Sequence, residues 1–326
     1  MLDLKFIREN ARAVEENCRN RGVEADVGLV VELADRRSGL IQELNELKQR
    51  QNQMAKSIGK ERDEGARGRL IEESRAMKEQ IPARETELRE VEERLRDEQL
   101  KIPNMTHPDS PIGKDDTENV EIRRWGEIPE FSFEPRDHVQ LGELLGIIDF
   151  DAGAKTTGSK FYFLRGDAVL LELGLIRYAM DILMERGYEP TITPDLARDE
   201  ALVGTGFIPR GPETQIYSVE GSDLSLIATA EITLAGQHTD EILDEDRFPL
   251  RYAGLSHCFR TEAGSHGRAS RGLYRVHQFT KVEMFAFAEP DQSEALHEEI
   301  VGIEEEIFAG LGLPYRVVDI CTGDLG

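Results

Sequence analysis

CFRTEAGSHGRASRGLYRVHQFTKVEMFAF, residues 258–287, decides how the rest of this sequence is read. Its ends are rich in aromatic and β-branched residues, and its middle holds Gly264, Gly267 and Gly272 with Ser265, His266 and Ser270. That composition predicts strand, long polar loop, strand. From Phe259 to Lys281 there are five cations (Arg260, Arg268, Arg271, Arg275, Lys281) against one acid, Glu262, in a chain of net charge −24. Alternation along the second strand puts Phe279, Lys281, Glu283, Phe285 and Phe287 on one face, with Thr280, Val282, Met284 and Ala286 on the other. A lysine and a glutamate between aromatics do not suit a dry core, because unpaired buried charge is costly. They suit a pocket for a zwitterion and a phosphate. The plainer alternative is an exposed hairpin with a solvated polar face.

Outward from this stretch, 326 residues give room for two domains and a sizeable core. Hydrophobic content of 39% and charged content of 32% describe a soluble protein. No run approaches the roughly 18 apolar residues of a membrane span. The N-terminus, charged from Asp3 onward, lacks a signal-peptide core, so a cytoplasmic protein without membrane association is expected. Cys18, Cys258 and Cys321 are far apart and not in metal spacing, which predicts small buried hydrophobes rather than disulfides or zinc ligands. The acidity, with pI about 4.8, argues against polyanion partners in its simplest reading. Its spread along the whole chain also suits a halophilic protein, since screening over about 3 Å at 1 M salt makes a dense anionic surface tolerable.

Residues 1–22 read as a short amphipathic helix (Leu4, Ile7, Ala11, Val14) capped by Asp3 and closed by Gly22. From Asp26 to Ile102 apolar residues recur in heptads: Leu33, Leu40, Leu47 and Met54, then Leu70, Met77 and Val91 with Ile81, Leu88, Leu95 and Ile102. Two runs about a glycine-bearing break (Gly59, Gly65, Gly68) predict an antiparallel helical hairpin, a long coiled-coil arm. Pro82 should bend or divide its second helix. Residues 26–103 carry 16 Lys/Arg against 18 Asp/Glu, a net of −2, whereas the other 248 residues carry 24 against 46, a net of −22. The arm is therefore the least anionic large piece, as a surface meeting phosphates would be.

Three prolines in 102–111 predict a linker, with the domain boundary there: 1–103, a linker over 104–118, and a second domain over 119–326. Strands are expected around Trp125 and over 158–165, and a helix over 136–146. A helix over 167–186 is ended by Gly187 and leads into a strand up to Pro194. Gly204, Gly206, Pro209, Gly211 and Pro212 suggest a loop or lid. Thr229 and Glu231, two apart, would face one side of a strand and meet one small ligand; the plainer alternative is Thr229 as a helix N-cap. An acidic helix over 291–312 and a strand over 315–320 complete the pattern. No P-loop, Rossmann fingerprint, H-E-x-x-H or nucleophile elbow is present.

Phe259-Arg-Thr-Glu262 followed by Gly272-Leu-Tyr-Arg-Val-His-Gln-Phe-Thr-Lys-Val-Glu283 resembles motif 2 of the class II aminoacyl-tRNA synthetases in its seryl-tRNA synthetase form. The resemblance extends to the N-terminal arm, to the helix–strand–proline of 167–194 as the dimer-forming motif 1, and to Thr229-Ala230-Glu231 as the serine-recognition loop. It implies an α+β fold: a coiled-coil hairpin followed by a class II antiparallel sheet flanked by helices. It implies a homodimeric serine–tRNA ligase that activates L-serine with ATP and Mg²⁺ and charges tRNA(Ser), with tRNA(Sec) as a further candidate. Arg260 would bind the α-phosphate and Lys281 support the serine carboxylate. Thr261, Glu262, Val276 and Phe279 would complete the ATP site. Glu231 and Glu283, with Thr229 and Ala230, would hold serine, and Arg268, Arg271 and Arg275 would meet the tRNA acceptor end. The resemblance also implies that motif 3 and the metal-binding carboxylate lie beyond Gly326. A catalytic domain truncated before motif 3, with no metal ligands in this chain, is thus expected. The alternative is a catalytically incomplete, synthetase-like coiled-coil RNA-binding protein.

Overall fold

The computed structural model describes residues 1–207, 215–262 and 271–325. They form two compact units, Met1–Arg123 with Arg316–Gly326, and Arg124–Tyr315.

In the first unit the expected single helix over 1–22 is two, α1 (Leu4–Glu9) and α2 (Ala11–Asn20). Asp3 caps α1 by accepting from the Lys5 and Phe6 N–H groups. The interruption falls at Asn10, whose side-chain amide donates to Phe6 O at 3.0 Å, a local bond that competes with helix continuation. The arm follows as α3 (Val27–Lys60) and α4 (Glu64–Leu100). At its root Ile7, Val14, Val27, Val30 and Leu33 are buried against Leu95 and Ile102, each such side chain stabilising the fold by about 1.5–3 kcal/mol.

The turn of the arm is not built on glycine. Gly59 lies inside α3, and Gly65 and Gly68 lie inside α4. The reversal occupies residues 61–63, where Glu61 accepts from the Arg62 and Asp63 N–H groups and Asp63 caps α4 through the Ala66 N–H at 2.7 Å. Carboxylates capping donors make the turn expected at the glycines. Pro82 lies inside α4 without dividing it. The adjoining turn is tethered to α3 by exposed ion pairs, Arg84–Glu43 at 3.3 Å, Lys48–Glu85 at 2.8 Å, and Arg36–Glu87. The proline-bearing run is not helical, yet it is fixed: Thr106 N–H donates to Asn17 Oδ1 at 2.9 Å, and Pro111 O accepts from Thr322 N–H at 2.8 Å.

Strand β1 (Val120–Trp125) leads to the second unit, which opens with α5 (His138–Leu145), started by an Asp137 capping box. The expected strand over 158–165 shrinks to β3 (Phe163–Leu164), paired with β2 (Ile148–Asp149); α6 (Phe150–Thr156) stands between them. Helix α7 (Asp167–Glu185) turns at Gly187, φ +80, into β4 (Glu189–Ile192). Then come β5 (Leu196–Arg198), α8 (Asp199–Gly204), β6 (Leu224–Leu226), α9 (Glu231–Gly236), β7 (Leu250–Phe259), β8 (Gln278–Phe287), α10 (Ser293–Gly310) and β9 (Tyr315–Asp319). Of the suggested lid, Pro209, Gly211 and Pro212 lie outside the described residues.

The central sheet has the order β4–β7–β8. β7 and β8 pair antiparallel from Leu250↔Phe287 to Phe259↔Gln278, and β4 joins β7 in parallel. The predicted alternation holds. Val282 and Met284 pack on one face against Leu183, Tyr188, Ala253 and Ile303, supplied by α7, its exit, β7 and α10. Phe285 and Phe287 lie on the other with Ala230, Leu234 and Tyr252. The three cysteines are free and buried. Among the described residues no helix is long and apolar enough to cross a membrane.

Candidate active site

The face of β8 that carries Phe279, Lys281 and Glu283 collects most of the expected site residues. Arg260 stands just beyond the end of β7, its guanidinium 5.5 Å from the centroid of the Phe279 ring. Thr261 is held by its N–H to Gln215 O at 2.9 Å. Glu262 adopts a left-handed backbone, φ +52, and its carboxylate is ion-paired with Arg275 Nε. Val276 is buried beneath this end of the hairpin. A cation, an aromatic face and a carboxylate–guanidinium pair whose carboxylate is buried are thus placed along one edge, the parts needed to seat a purine and neutralise a phosphate.

The three arginines expected at a tRNA acceptor end separate. Arg268 lies outside the described residues. Arg271 pairs with Asp137 at 2.9 Å, and Arg275 turns inward to Glu262. Between them the chain docks on the start of α5, where Leu273 N–H donates to His138 Nε2 at 2.8 Å. Gly272 is required there: its φ is +67, and a Cβ would come within 2.1 Å of His138 Nε2.

Further along the strand lies a second cluster. Thr229 and Glu231 are not on a strand. Glu231 opens α9, and the N-cap position belongs to Ala230, which makes no side-chain cap bond. Helix α9 sits directly on β7 because Gly254 leaves room: a Cβ there would meet Leu234 Cδ1 at 2.8 Å and Ala230 Cβ at 3.1 Å. This close approach brings Thr229 onto β8. Thr229 Oγ1 donates to Glu283 Oε2 at 2.5 Å and accepts from Lys281 Nζ at 2.7 Å. Lys281 Nζ lies 3.0 Å from Glu283 Oε2. Burial, and then repulsion from Glu283, push the Glu231 carboxyl above its ordinary range, with Lys281 opposing. Two carboxyls against one ammonium leave room for a second cation. A small ligand with an ammonium and a hydroxyl fits that balance.

Several neighbours carry no role in the sequence reading. His277 stands opposite Arg260, with Tyr217 Oη at 3.0 Å from its Nδ1. Its place beside Gln278 in the hairpin was the available signal. Asp137 and His138 had none, being some 135 positions away from Leu273. Among the described residues no group of three His, Cys, Asp or Glu side chains is placed to hold a metal ion.

Comparison with known proteins adds to this geometry. Residues 1–106 match the seryl-tRNA synthetase N-terminal domain, and residues 216–326 match the tRNA synthetase class II core domain (G, H, P, S and T). The chain is 76% identical over 326 residues to a serine–tRNA ligase of Rubrobacter xylanophilus, covering 100% of this chain and 77% of that one. It is 52% identical over 326 residues to the corresponding ligase of Treponema denticola, with the same coverage, 100% and 77%. Among solved structures it resembles seryl-tRNA synthetase from Pyrococcus horikoshii complexed with ATP, at TM-score 0.90 and 40% identity, covering 100% of this chain and 78% of that one. It also resembles the cytoplasmic serine–tRNA ligase of Naegleria fowleri in complex with AMP, at TM-score 0.83 and 33% identity, covering 100% and 76%.

Proposed function

The chain belongs to the seryl-tRNA synthetase family, the serine–tRNA ligases, and on that premise we propose that the β7–β8 hairpin with the start of α9 is where serine and ATP meet. The observation that carries this reading is the contact of Thr229 with both Lys281 and Glu283 on the strand face that also bears Phe279 and Arg260. Serine binds with its ammonium between Glu231 and Glu283 and its hydroxyl on the Thr229–Glu283 pair; Ala230 closes the floor. A site built to pair a hydroxyl rejects analogues that lack it. The serine carboxylate lies against Lys281, facing the α-phosphate that Arg260 holds. The purine stacks on Phe279 beside Val276, its exocyclic amine reaching Glu262 and its sugar end the Thr261 backbone.

Adenylation then needs positioning and charge stabilisation rather than a protein nucleophile. A serine carboxylate oxygen attacks the α-phosphorus in line, the bond to the bridging oxygen breaks, and pyrophosphate leaves. Arg260 balances the charge gathering on the α-phosphoryl oxygens, a task suited to its bidentate fork. Mg²⁺ would enter with the nucleotide and neutralise its phosphates; among the described residues no group of three His, Cys, Asp or Glu side chains is placed to hold it.

Domain roles follow the same reading. Residues 1–103, with the arm over 26–102, hold tRNA(Ser), with tRNA(Sec) a further candidate. Residues 104–118 connect this piece to the catalytic residues 119–326. Arg268, Arg271 and Arg275 stay as acceptor-end contacts, with Arg271 and Arg275 exchanging Asp137 and Glu262 for phosphates. A homodimer built on α7 and β4 is supported by the apolar surface they expose, Leu170, Leu171, Leu173 and Ile192 being 66%, 64%, 56% and 82% accessible. A cytoplasmic protein adapted to molar salt is supported by the net charge of −24. The seating of serine is tested with a non-hydrolysable seryl-adenylate analogue in calorimetry: Thr229→Val should weaken binding by about 10-fold or more, the loss of a hydrogen bond to a charged group. Unchanged affinity would remove Thr229 from the site.

A further inference from the structure

Arg260 and His277 face each other one step past the last rung of the β7–β8 ladder, which ends at Phe259↔Gln278. Residues so placed ordinarily exchange two backbone hydrogen bonds. Only one forms here, from Arg260 N–H to His277 O at 3.0 Å. The His277 N–H turns away to Lys160 O at 3.2 Å. The Arg260 carbonyl takes the imidazole of His277 in its place, with Nδ1 at 2.8 Å. A carbonyl can only accept, so Nδ1 carries the proton. Tyr217 Oη, 3.0 Å from the same nitrogen, is a second acceptor for it. Phe161 stacks on the imidazole, with centroids 5.2 Å apart and planes at 25°, and so fixes the ring's plane.

We propose that His277 is a positioning residue for Arg260. Its side chain supplies the rung that the backbone does not, and thereby sets the direction in which Arg260 leaves the sheet and the placement of its guanidinium over Phe279. With that rung gone, Arg260 would keep one backbone bond at the sheet end and its guanidinium would shift. A displacement of about 1 Å at a group acting on the transition state costs about 100-fold in rate. The serine contacts at Lys281 and Glu283 lie further along the strand, with Thr229 hydrogen-bonded to both, and none of the three bonds to Arg260. The loss therefore falls on kcat and spares the serine KM.

This inference rests on the adenylation role of Arg260, so Arg260→Ala is measured beside it. The test is serine-dependent ATP–pyrophosphate exchange on the enzyme as its gene encodes it. His277→Phe keeps a stacking ring and removes the donor; His277→Asn keeps a donor near the Nδ1 position and removes the ring. The expected result is a fall in kcat of about 10- to 100-fold for His277→Phe, an unchanged serine KM, and recovery of most of that loss in His277→Asn. Should His277→Phe not fold, His277→Leu, also without a donor, carries the same expectation. Wild-type kcat in the donor-less variant overturns the proposal. So does an asparagine variant no better than the phenylalanine one, or a serine KM that rises in step with the loss of kcat. Exchange that survives Arg260→Ala overturns the adenylation role and this inference together, whereas loss in Arg260→Ala with wild-type His277→Phe overturns this inference alone.

Discussion

Glu231 shows how one residue joins folding to ligand recognition. Its carboxyl is pushed above the ordinary range by burial and by Glu283. The folded state therefore holds that proton more tightly than the unfolded chain. The sign follows: the stabilising contribution is full at low pH and is lost as pH rises through the raised folded-state value. An arriving ammonium reverses the preference, because it favours the ionised carboxylate. Glu231→Gln should thus raise the melting temperature at neutral pH and weaken serine binding by about 10-fold or more. Wild-type serine affinity should also decline on acidification. Melting curves and calorimetry across pH check both, and a variant melting lower at neutral pH would contradict the account. The residue types of this cluster were legible in the sequence, since Lys281 and Glu283 interrupt an aromatic face. The backbone beneath Thr229 and Glu231 was not. It depends on Gly254 admitting α9 onto β7, a contact between segments whose spacing carries no periodic signal.

At the scale of elements, the long periodic readings held, whereas the short ones over 1–22 and 158–165 broke up and the single-residue readings in the arm gave way to context. The heptads located both helices of the arm, and alternation sorted both faces of β8, because each pattern sums over many positions. Pro82 and the arm glycines were judged by local preference, which tertiary contacts override. Helix α4 continues through Pro82 with ion pairs from Arg84, Glu85 and Glu87 to α3 on the adjoining turn, while carboxylates take over the turn at 61–63. Pro82 still carries its cost. Pro82→Ala should stabilise the outer arm by about 1–3 kcal/mol, read as slower amide exchange in residues 78–86. Unchanged exchange would mean that the proline is already fully compensated. The anchor of Gly272 and Leu273 on His138 was illegible for a different reason: it joins segments far apart in sequence through one imidazole.

For the whole molecule, the sequence divides labour between a nearly neutral arm and a strongly acidic remainder, −2 against −22. If the arm serves RNA alone, replacing residues 27–100 by a short turn should leave serine-dependent exchange within about 2-fold while abolishing charging of tRNA(Ser), since the two activities draw on different binding energy. Filter assays of seryl-tRNA formation, run beside exchange assays, check this, and charging that persists without the arm would contradict it. The central claim is narrower: Arg260 on the β7–β8 hairpin stabilises the transition state of serine adenylation. The most direct measurement is serine-dependent ATP–pyrophosphate exchange, at low and at molar KCl, for the wild-type enzyme and for Arg260→Ala. The account predicts exchange that requires serine and is not supported by alanine, falling by at least about 100-fold in the variant with the melting temperature unchanged. Near-normal exchange in a folded Arg260→Ala enzyme would contradict it.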